Sequence, residues 1–241
     1  MKILSIDTAS DVCGVSILED KKSIISLDTN TGRTHSENLM PMIENAFNQT
    51  NLSLNDIELI TCDIGPGSFT GLRIGIATTK AFCDFSSIPC VGISSLTSLA
   101  YNVLENIKDN DVVCSIIDCK NNNCYFALYE LNSGNYNVLI EPCAKSVNDV
   151  LDLLNSQYYN KCISFVGDGI PSEKLHSIYD NNADSEVTKN IISSYLNVEN
   201  LGTAGYKKFI NNKKIGEEIL PLYLKKPQAQ IQLEEKLKAK I

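Results

Sequence analysis

"ILSIDTASDVCGVSILE" (residues 3–19) can be laid over "CSIIDCKNNNCYFALYE" (114–130) at an offset of 111 residues. Asp7 then meets Asp118, Cys13 meets Cys124 and Glu19 meets Glu130. In both stretches an apolar strand ends at an aspartate, a polar turn follows, and a second apolar strand returns, which is a hairpin pattern. Both halves continue alike. A third strand (23–28; 136–141) precedes a helix with apolar residues at helical spacing: His35, Leu39, Met42, Ile43, Ala46 and Phe47 in the first half, Val147, Val150, Leu151 and Leu154 in the second. The strands "DIELITCDIG" (56–65) and "KCISFVGDG" (161–169) come next, each ending in a glycine-containing turn. The chain therefore reads as two copies of one β-β-β-α-β-α unit.

A three-strand meander followed by strands alternating with helices makes a mixed sheet with helices packed on its faces. Duplicated, such ribonuclease-H-like units give the α/β, two-lobed layout of the actin, Hsp70 and sugar-kinase superfold. In that layout ATP lies between the lobes, its phosphates held by the two Asp-bearing hairpins. The expected division is an N-terminal lobe over 1–100 carrying partner-binding helices and a C-terminal lobe over 101–212. A C-terminal segment over 213–241 is expected to pack back on the first lobe.

Composition narrows the function. A net charge of −8 over 241 residues argues against a protein that grips nucleic acid unaided, since phosphate binding needs clustered lysine and arginine. Only the last stretch, with Lys213, Lys214, Lys225, Lys226, Lys236, Lys238 and Lys240, leans basic, and its interspersed glutamates read as a solvated helix face. The opening MKILSID reaches Asp7 before an apolar stretch of signal-peptide length develops, and no run of about 18 apolar residues occurs. The expectation is a cytoplasmic protein with no membrane partner, its nine cysteines kept as buried thiols in a reducing compartment. The cysteine spacing contains no Cys-x-x-Cys pair for zinc.

The loop Gly65-Pro66-Gly67-Ser68-Phe69-Thr70-Gly71 runs straight into a helix and could present N–H groups to an anion. Leu72 and Arg73 follow Gly71 where a phosphate loop would have Lys-Ser/Thr, and a tight turn capped by Ser68 or Thr70 needs the same residues without a ligand. The loop is therefore expected to be structural. The helix after it carries two apolar stripes, Leu72, Ile76, Thr79 and Cys83 on one side and Ile74, Ala77, Ala81 and Phe85 on another. Two stripes imply burial on two sides, one against the lobe and one against a partner. The expectation places the first stripe outward, so that Ile76→Glu spares folding and Ile74→Glu destroys it.

"ILSIDTAS", "HSENLMPMI", "GPGSFTGLRIGIATTKAF" and "VGISSLTSLA" follow one another, with "ILPLYLKK" near the end (219–226), as they do in the TsaB (YeaZ) family of bacterial proteins, which this chain resembles. The resemblance implies an accessory subunit of the complex that makes threonylcarbamoyladenosine beside the anticodon of tRNA. In that pathway a TsaD-like subunit transfers the carbamoyl group and a TsaE-like ATPase completes the machine. It also implies pairing through first-lobe helices, a homodimer when alone, and tRNA contact only through the complex. On that basis His35, Leu39, Met42, Ile43, Leu72, Arg73, Ile76, Thr79, Lys80 and Cys83 are the expected partner interface.

The residues also point to a lost active site, hence to a subunit that is not itself an enzyme. TsaD-like proteins hold a metal with His-x-x-x-His on a helix, and here the stretch is His35-Ser36-Glu37-Asn38-Leu39, with leucine as the second member. Thr34 and Glu37 have capping-box spacing, which gives both a structural reason. His176 is the remaining histidine, and no metal is expected. Nucleotide-binding relatives put glycines after the hairpin aspartate, whereas "DTASD" and "DCKNNN" have none. Asp7, Thr8, Ser10 and Asp118 are the residues that would touch a weakly bound nucleotide; no cofactor is expected to bind tightly, ATP being used by the complex. The alternative is an ATP-binding phosphotransferase or ATPase of the same superfold. A peptidase, with Ser68 and His35, lacks the Gly-x-Ser-x-Gly elbow.

Overall fold

A computed structural model describes residues 1–30, 34–103, 107–109, 111–132, 135–169, 190–192, 196–212 and 218–225. The first half builds β1 (Lys2–Asp7), β2 (Cys13–Glu19), β3 (Lys22–Thr29), α1 (His35–Thr50), β4 (Leu59–Gly65), α2 (Phe69–Ser86), β5 (Cys90–Ser94) and α3 (Ser95–Ala100). The second half builds β6 (Val112–Asp118), β7 (Asn123–Asn132), β8 (Asn135–Ser146), α4 (Val147–Gln157), β9 (Ile163–Gly167), β10 (Asn190–Ile192) and α5 (Val198–Asn212). Polar caps start the helices. The Glu37 carboxylate accepts the Thr34 N–H before α1, and Ser94 and Ser146 accept the N–H groups of Leu96 and Asp149 at the starts of α3 and α4.

The duplication is exact at the level of topology. The first sheet runs β3-β2-β1-β4-β5 and the second β8-β7-β6-β9-β10. In each, the meander is antiparallel and the two later strands are parallel. Asp7 pairs with Gly14 at the first hairpin and Asp118 with Cys124 at the second. This is the two-lobed arrangement that the repeat implies, with a fifth parallel strand, β5 or β10, added to each unit.

The central strands read as unbroken apolar runs because both of their faces are covered. Leu4, Ile6, Val15 and Ile17 face Leu39, Ile43 and Ala46 of α1. On the other face Ile3, Leu18, Leu59 and Val91 meet Val198, Leu201 and Ala204 of α5. The second sheet repeats the scheme, with α4 on one face through Val147, Val150 and Leu154 and α3 on the other through Leu96, Leu99 and Ala100. The expected boundaries at 100 and 212 therefore do not divide the packing. α3 belongs by sequence to the first half and covers the second sheet; α5 belongs to the second half and covers the first. Sequence order cannot reveal such an exchange, since either sheet offers the same kind of apolar face.

Residues 219–223 lie on the first lobe, and Lys225 reaches the second, donating to the Cys119 carbonyl at 3.1 Å. Ile219 packs with Ala9, Cys62, Leu72 and Ile76, the Leu222 N–H donates to the Ile64 carbonyl at 2.7 Å, and Tyr223 stacks on Phe69 at 4.6 Å. His176, Lys213, Lys214, Lys226 and the 227–241 tail lie outside the described residues.

α5 approaches the sheet closely because it is thin there. A side chain on Gly202 would run into Ser5 and Leu18, and one on Gly205 into Thr61. In an exposed helix Gly→Ala gains about 1 kcal/mol. Here Gly205→Ala is expected to destabilise instead, by about 1–3 kcal/mol, lowering Tm by several degrees. Thermal unfolding of the variant checks this, and a rise in Tm would show that α5 does not sit on β4.

Candidate functional site

The hairpin turns and the loop before α2 meet where β1, β4, β6 and β9 end. In the first turn Asp7 accepts the Ala9 N–H at 2.9 Å and the Thr8 hydroxyl donates to the Gly71 carbonyl at 2.8 Å. The His35 ring contacts the Ser10 carbonyl through Nε2 at 2.8 Å. Thr8 and His35 are thus fastened to backbone.

Three N–H groups of the loop and first turn of α2 are engaged inside the fold. Ser68 N–H donates to the Ala9 carbonyl (2.7 Å), Leu72 N–H to the Ser68 carbonyl (2.9 Å) and Gly71 N–H to Ser68 Oγ (3.2 Å). Gly71 and Gly75 lie against Thr8, where a side chain would collide with its carbonyl and its hydroxyl. The loop's composition is explained by this contact; Thr70 is exposed, and the Gly65-Pro66 peptide is cis.

The second turn closes on itself. Asp118 accepts the Lys120 backbone N–H (2.9 Å) and its ammonium (2.8 Å), and Asp118 N–H donates to Asp168 (2.9 Å). Burial works to raise the Asp118 pKa, but the Lys120 bonds outweigh it and hold the group below the ordinary carboxylate value. Lys120, Asn121 and Asn122 all adopt positive φ, taking the left-handed conformation that glycine supplies in phosphate-binding turns. Between the turns lies a cleft of about 420 Å³ lined by Ser10, Gly67, Ser68, Asp118, Lys120 and Asp168, with Asp11 beside them. Among the described residues the lining carries three carboxylates and one lysine, with the Lys225 ammonium on the Cys119 carbonyl (3.1 Å) beside it, a balance that disfavours a polyphosphate.

Sequence reading missed Asp63. It lies two residues before the end of β4, beside Asp7, and accepts the Gly65 N–H and the Ser95 hydroxyl, each at 2.6 Å, through one oxygen; the other is buried with no hydrogen-bond partner. Burial, reinforced by Asp7, pushes the Asp63 pKa well up. Burial likewise raises Asp7 to about 6, opposed by the Ala9 N–H and aided by Asp28. The available signal was an aspartate just before Gly-Pro at a strand end. Among the described residues no group of three or more His, Cys, Asp or Glu stands ready for a metal.

The expected interface needs correction. Leu72 (0% exposed), Ile76 (5%) and Thr79 (0%) face the core of the isolated chain, as do Leu39 (1%) and Ile43 (2%). Met42 packs partly into the same core, and Cys83 beside it. The Gly71–Gly75 contact with Thr8 sets the rotation of α2, turning the 72–76–79 stripe inward and Ala77, Ala81 and Phe85 outward. Arg73 is exposed, stacks over the Phe69 ring at 3.9 Å and donates to Tyr223; Lys80 pairs with Glu218. Phe85 is 87% exposed and Met40 49%. A groove of about 460 Å³, lined by Met40, Pro41, Glu44, Phe47 and Phe82, runs between α1 and α2.

The family described as TsaD, tRNA N6-adenosine threonylcarbamoyltransferase, matches residues 26–233. A TsaB protein of Haemophilus influenzae, named for tRNA threonylcarbamoyladenosine biosynthesis, is 32% identical over 53% of this chain and 53% of its own length. The Bacillus subtilis protein of the same name is 28% identical over 69% of this chain and 71% of its own. The chain thus spans about half the length of the first of these relatives. A solved Pseudomonas aeruginosa protein described as similar to peptidase YEAZ superposes with a TM-score of 0.73 at 21% identity, covering 93% of this chain and 99% of its own.

The carboxylate pair generates a pH prediction. A carboxyl whose folded pKa is raised contributes stability below its unfolded pKa and loses it as pH rises through the folded value. Through Asp7, stability should therefore fall between about pH 4 and pH 6. Asp7→Asn keeps the acceptor for Ala9 and removes the charge. It is expected to raise Tm by about 3 °C or more at roughly pH 8 and to flatten the decline through that window. An unchanged Tm and pH profile would mean that Asp7 is not held at such a cost.

Proposed function

We propose, from the chain's membership of the TsaD family in its TsaB (YeaZ) branch, that it serves tRNA threonylcarbamoyladenosine synthesis as a noncatalytic partner subunit. It docks on a TsaD-like transferase and acts with a TsaE-like ATPase, in the cytoplasm. It meets tRNA only through that complex, and when alone pairs with a second copy. Among the described residues no helix is long and apolar enough to cross a membrane.

The observation that carries the docking reading is the outer face of α1 and α2. Phe85 stands 87% exposed on the last turn of α2, and Met40 and Phe82 border the apolar groove beside it. Large apolar groups gathered on one face of a folded chain mark a surface that a partner covers. Ala77 and Ala81, both exposed, leave room for another helix to come close. The noncatalytic reading is supported by Leu39, which sits in the core where the metal-binding pattern would need a second histidine. It is supported also by the acidic cleft and the self-closed second turn. An ATP-binding phosphotransferase would have to use that same cleft; hydrolysis by the isolated chain, lost in Asp118→Asn, would favour it.

The test separates folding from docking. Phe85→Glu and Ala81→Glu place a charge where a dry interface would have to desolvate it, and each is expected to weaken binding to a TsaD-like subunit by about a hundredfold with Tm unchanged. Ile76→Glu is expected to unfold the chain. Size-exclusion co-elution and thermal unfolding read both effects. Normal co-elution of Phe85→Glu would move the interface elsewhere.

A further inference from the structure

The expectation that all nine cysteines are buried needs correction: Cys13, Cys62, Cys114 and Cys124 are buried, whereas Cys83, Cys90, Cys119, Cys143 and Cys162 are partly exposed. Two of the partly exposed thiols meet. Cys83 lies in the last turn of α2, and Cys90 opens β5. Between them Ser87 takes a left-handed conformation, with φ of 56°, and ends the helix. The chain reverses there and returns the second cysteine to the first. Both side chains pack against the core cluster that contains Ile60 and Ile88, and the Cys83 thiol donates a hydrogen bond to the Cys90 sulfur.

This contact divides the roles of the two sulfurs. The bond from Cys83 lowers the Cys90 pKa to about 7; Lys80, one turn before Cys83, assists, while burial and Asp84 oppose. The same bond holds the proton on Cys83, and together with burial it pushes that thiol far up. The thiolate is the nucleophile in sulfur oxidation, and susceptibility follows thiolate character and exposure. Cys90 supplies both, with a second sulfur already in contact. The other thiols nearby are placed differently. Cys62 is buried and donates to the Asp63 carbonyl at 3.4 Å, and burial pushes Cys143 and Cys162 up.

We propose that Cys83 and Cys90 form a reversible oxidation site whose reactant is a hydroperoxide, with Cys90 attacking and Cys83 resolving. In the first step the Cys90 thiolate attacks the terminal O–H oxygen of the peroxide. An S–O bond forms, the O–O bond breaks, and the leaving oxygen takes up the proton that Cys90 had released, becoming water or an alcohol. Cys90 is then a sulfenic acid. The Cys83 sulfur attacks it next: an S–S bond forms, the S–O bond breaks, and the hydroxyl leaves as water with the Cys83 proton. The peroxide has gained two electrons, one from each cysteine. A dithiol reductant returns two electrons and two protons by thiol–disulfide exchange. The product ties the end of α2 to the start of β5. The site shares no residue with the turn cleft and does not depend on what α2 docks against.

The full chain, reduced and then freed of reductant, is exposed to hydrogen peroxide near neutral pH, quenched with N-ethylmaleimide and digested with trypsin. Both cysteines fall in the peptide 81–108, because no Lys or Arg lies between Lys80 and Lys108. Mass spectrometry is expected to show this peptide free of maleimide and lighter by two hydrogen atoms, formed about tenfold faster than Cys119, Cys143 or Cys162 is oxidised. Dithiothreitol should restore both alkylation sites. Cys83→Ser keeps a hydrogen-bond donor and removes the resolving sulfur, so Cys90 should accumulate as a sulfenic acid that dimedone captures. Cys90→Ala should leave Cys83 reduced at the same peroxide concentration. Thermal unfolding checks both variants, and the peptide measurement on the unaltered chain decides even if one fails to fold. A peptide 81–108 that keeps both alkylation sites while Cys119 is oxidised would overturn the proposal. So would a disulfide joining Cys90 to Cys62, a folded Cys83→Ser with no dimedone adduct on Cys90, or a folded Cys90→Ala whose Cys83 oxidises at the parent's rate.

Discussion

Each sheet of this protein has its inner face closed by a helix from the opposite half of the chain. α5 lies across β1 and β4 over Ser5 and Thr61, where glycines let it descend, and α3 lies under Val113, Ala127 and Val166 of the second sheet. Separating the lobes would strip apolar cover from both sheets at once, an effect that scales with the area exposed. The exchange also holds the two hairpin turns opposite each other.

In the same region the polar groups of the two turns are engaged within the fold. The Thr8 hydroxyl donates to the Gly71 carbonyl, His35 contacts the Ser10 carbonyl, the Ser68 N–H donates to the Ala9 carbonyl, and Lys120 is folded onto Asp118. Thr8 and Ser68 are thereby engaged in fixing α2 on the first lobe, and Lys120 in closing the second turn. The buried carboxylates Asp7 and Asp63 remain as a destabilising pair, and such strain persists where surrounding structure over-determines it. On the outside the chemistry is simpler. α1 and α2 turn polar and small residues, together with Met40, Phe82 and Phe85, to the surface.

The repeat was legible because a hairpin aspartate, a polar turn and two apolar strands form a local pattern, and both sheets follow it. Helix caps were equally local: Thr34, Ser68 and Glu37 stand where spacing puts them. The rotation of α2 was not legible from stripe composition, since Leu72 and Ile74 are equally apolar; the pair Gly71 and Gly75, one turn apart against Thr8, was the cue that decided it. Asp63 escaped notice because a lone carboxylate at a strand end is common, and its significance comes from Asp7 on the neighbouring strand. The meeting of Cys83 with Cys90 could not be read either. It depends on Ser87 taking a left-handed conformation that its residue type does not announce.

The central claim is that α1 and α2 present a covered face to a TsaD-like subunit while the turn cleft stays uninvolved. Amide hydrogen exchange, followed peptide by peptide for the chain alone and mixed with that subunit, tests it most directly. The account predicts new protection concentrated in residues 40–48 and 77–86, with residues 8–12 and 118–123 unchanged. Protection at the two turns, with the outer helices exchanging as they do in the free chain, would contradict it.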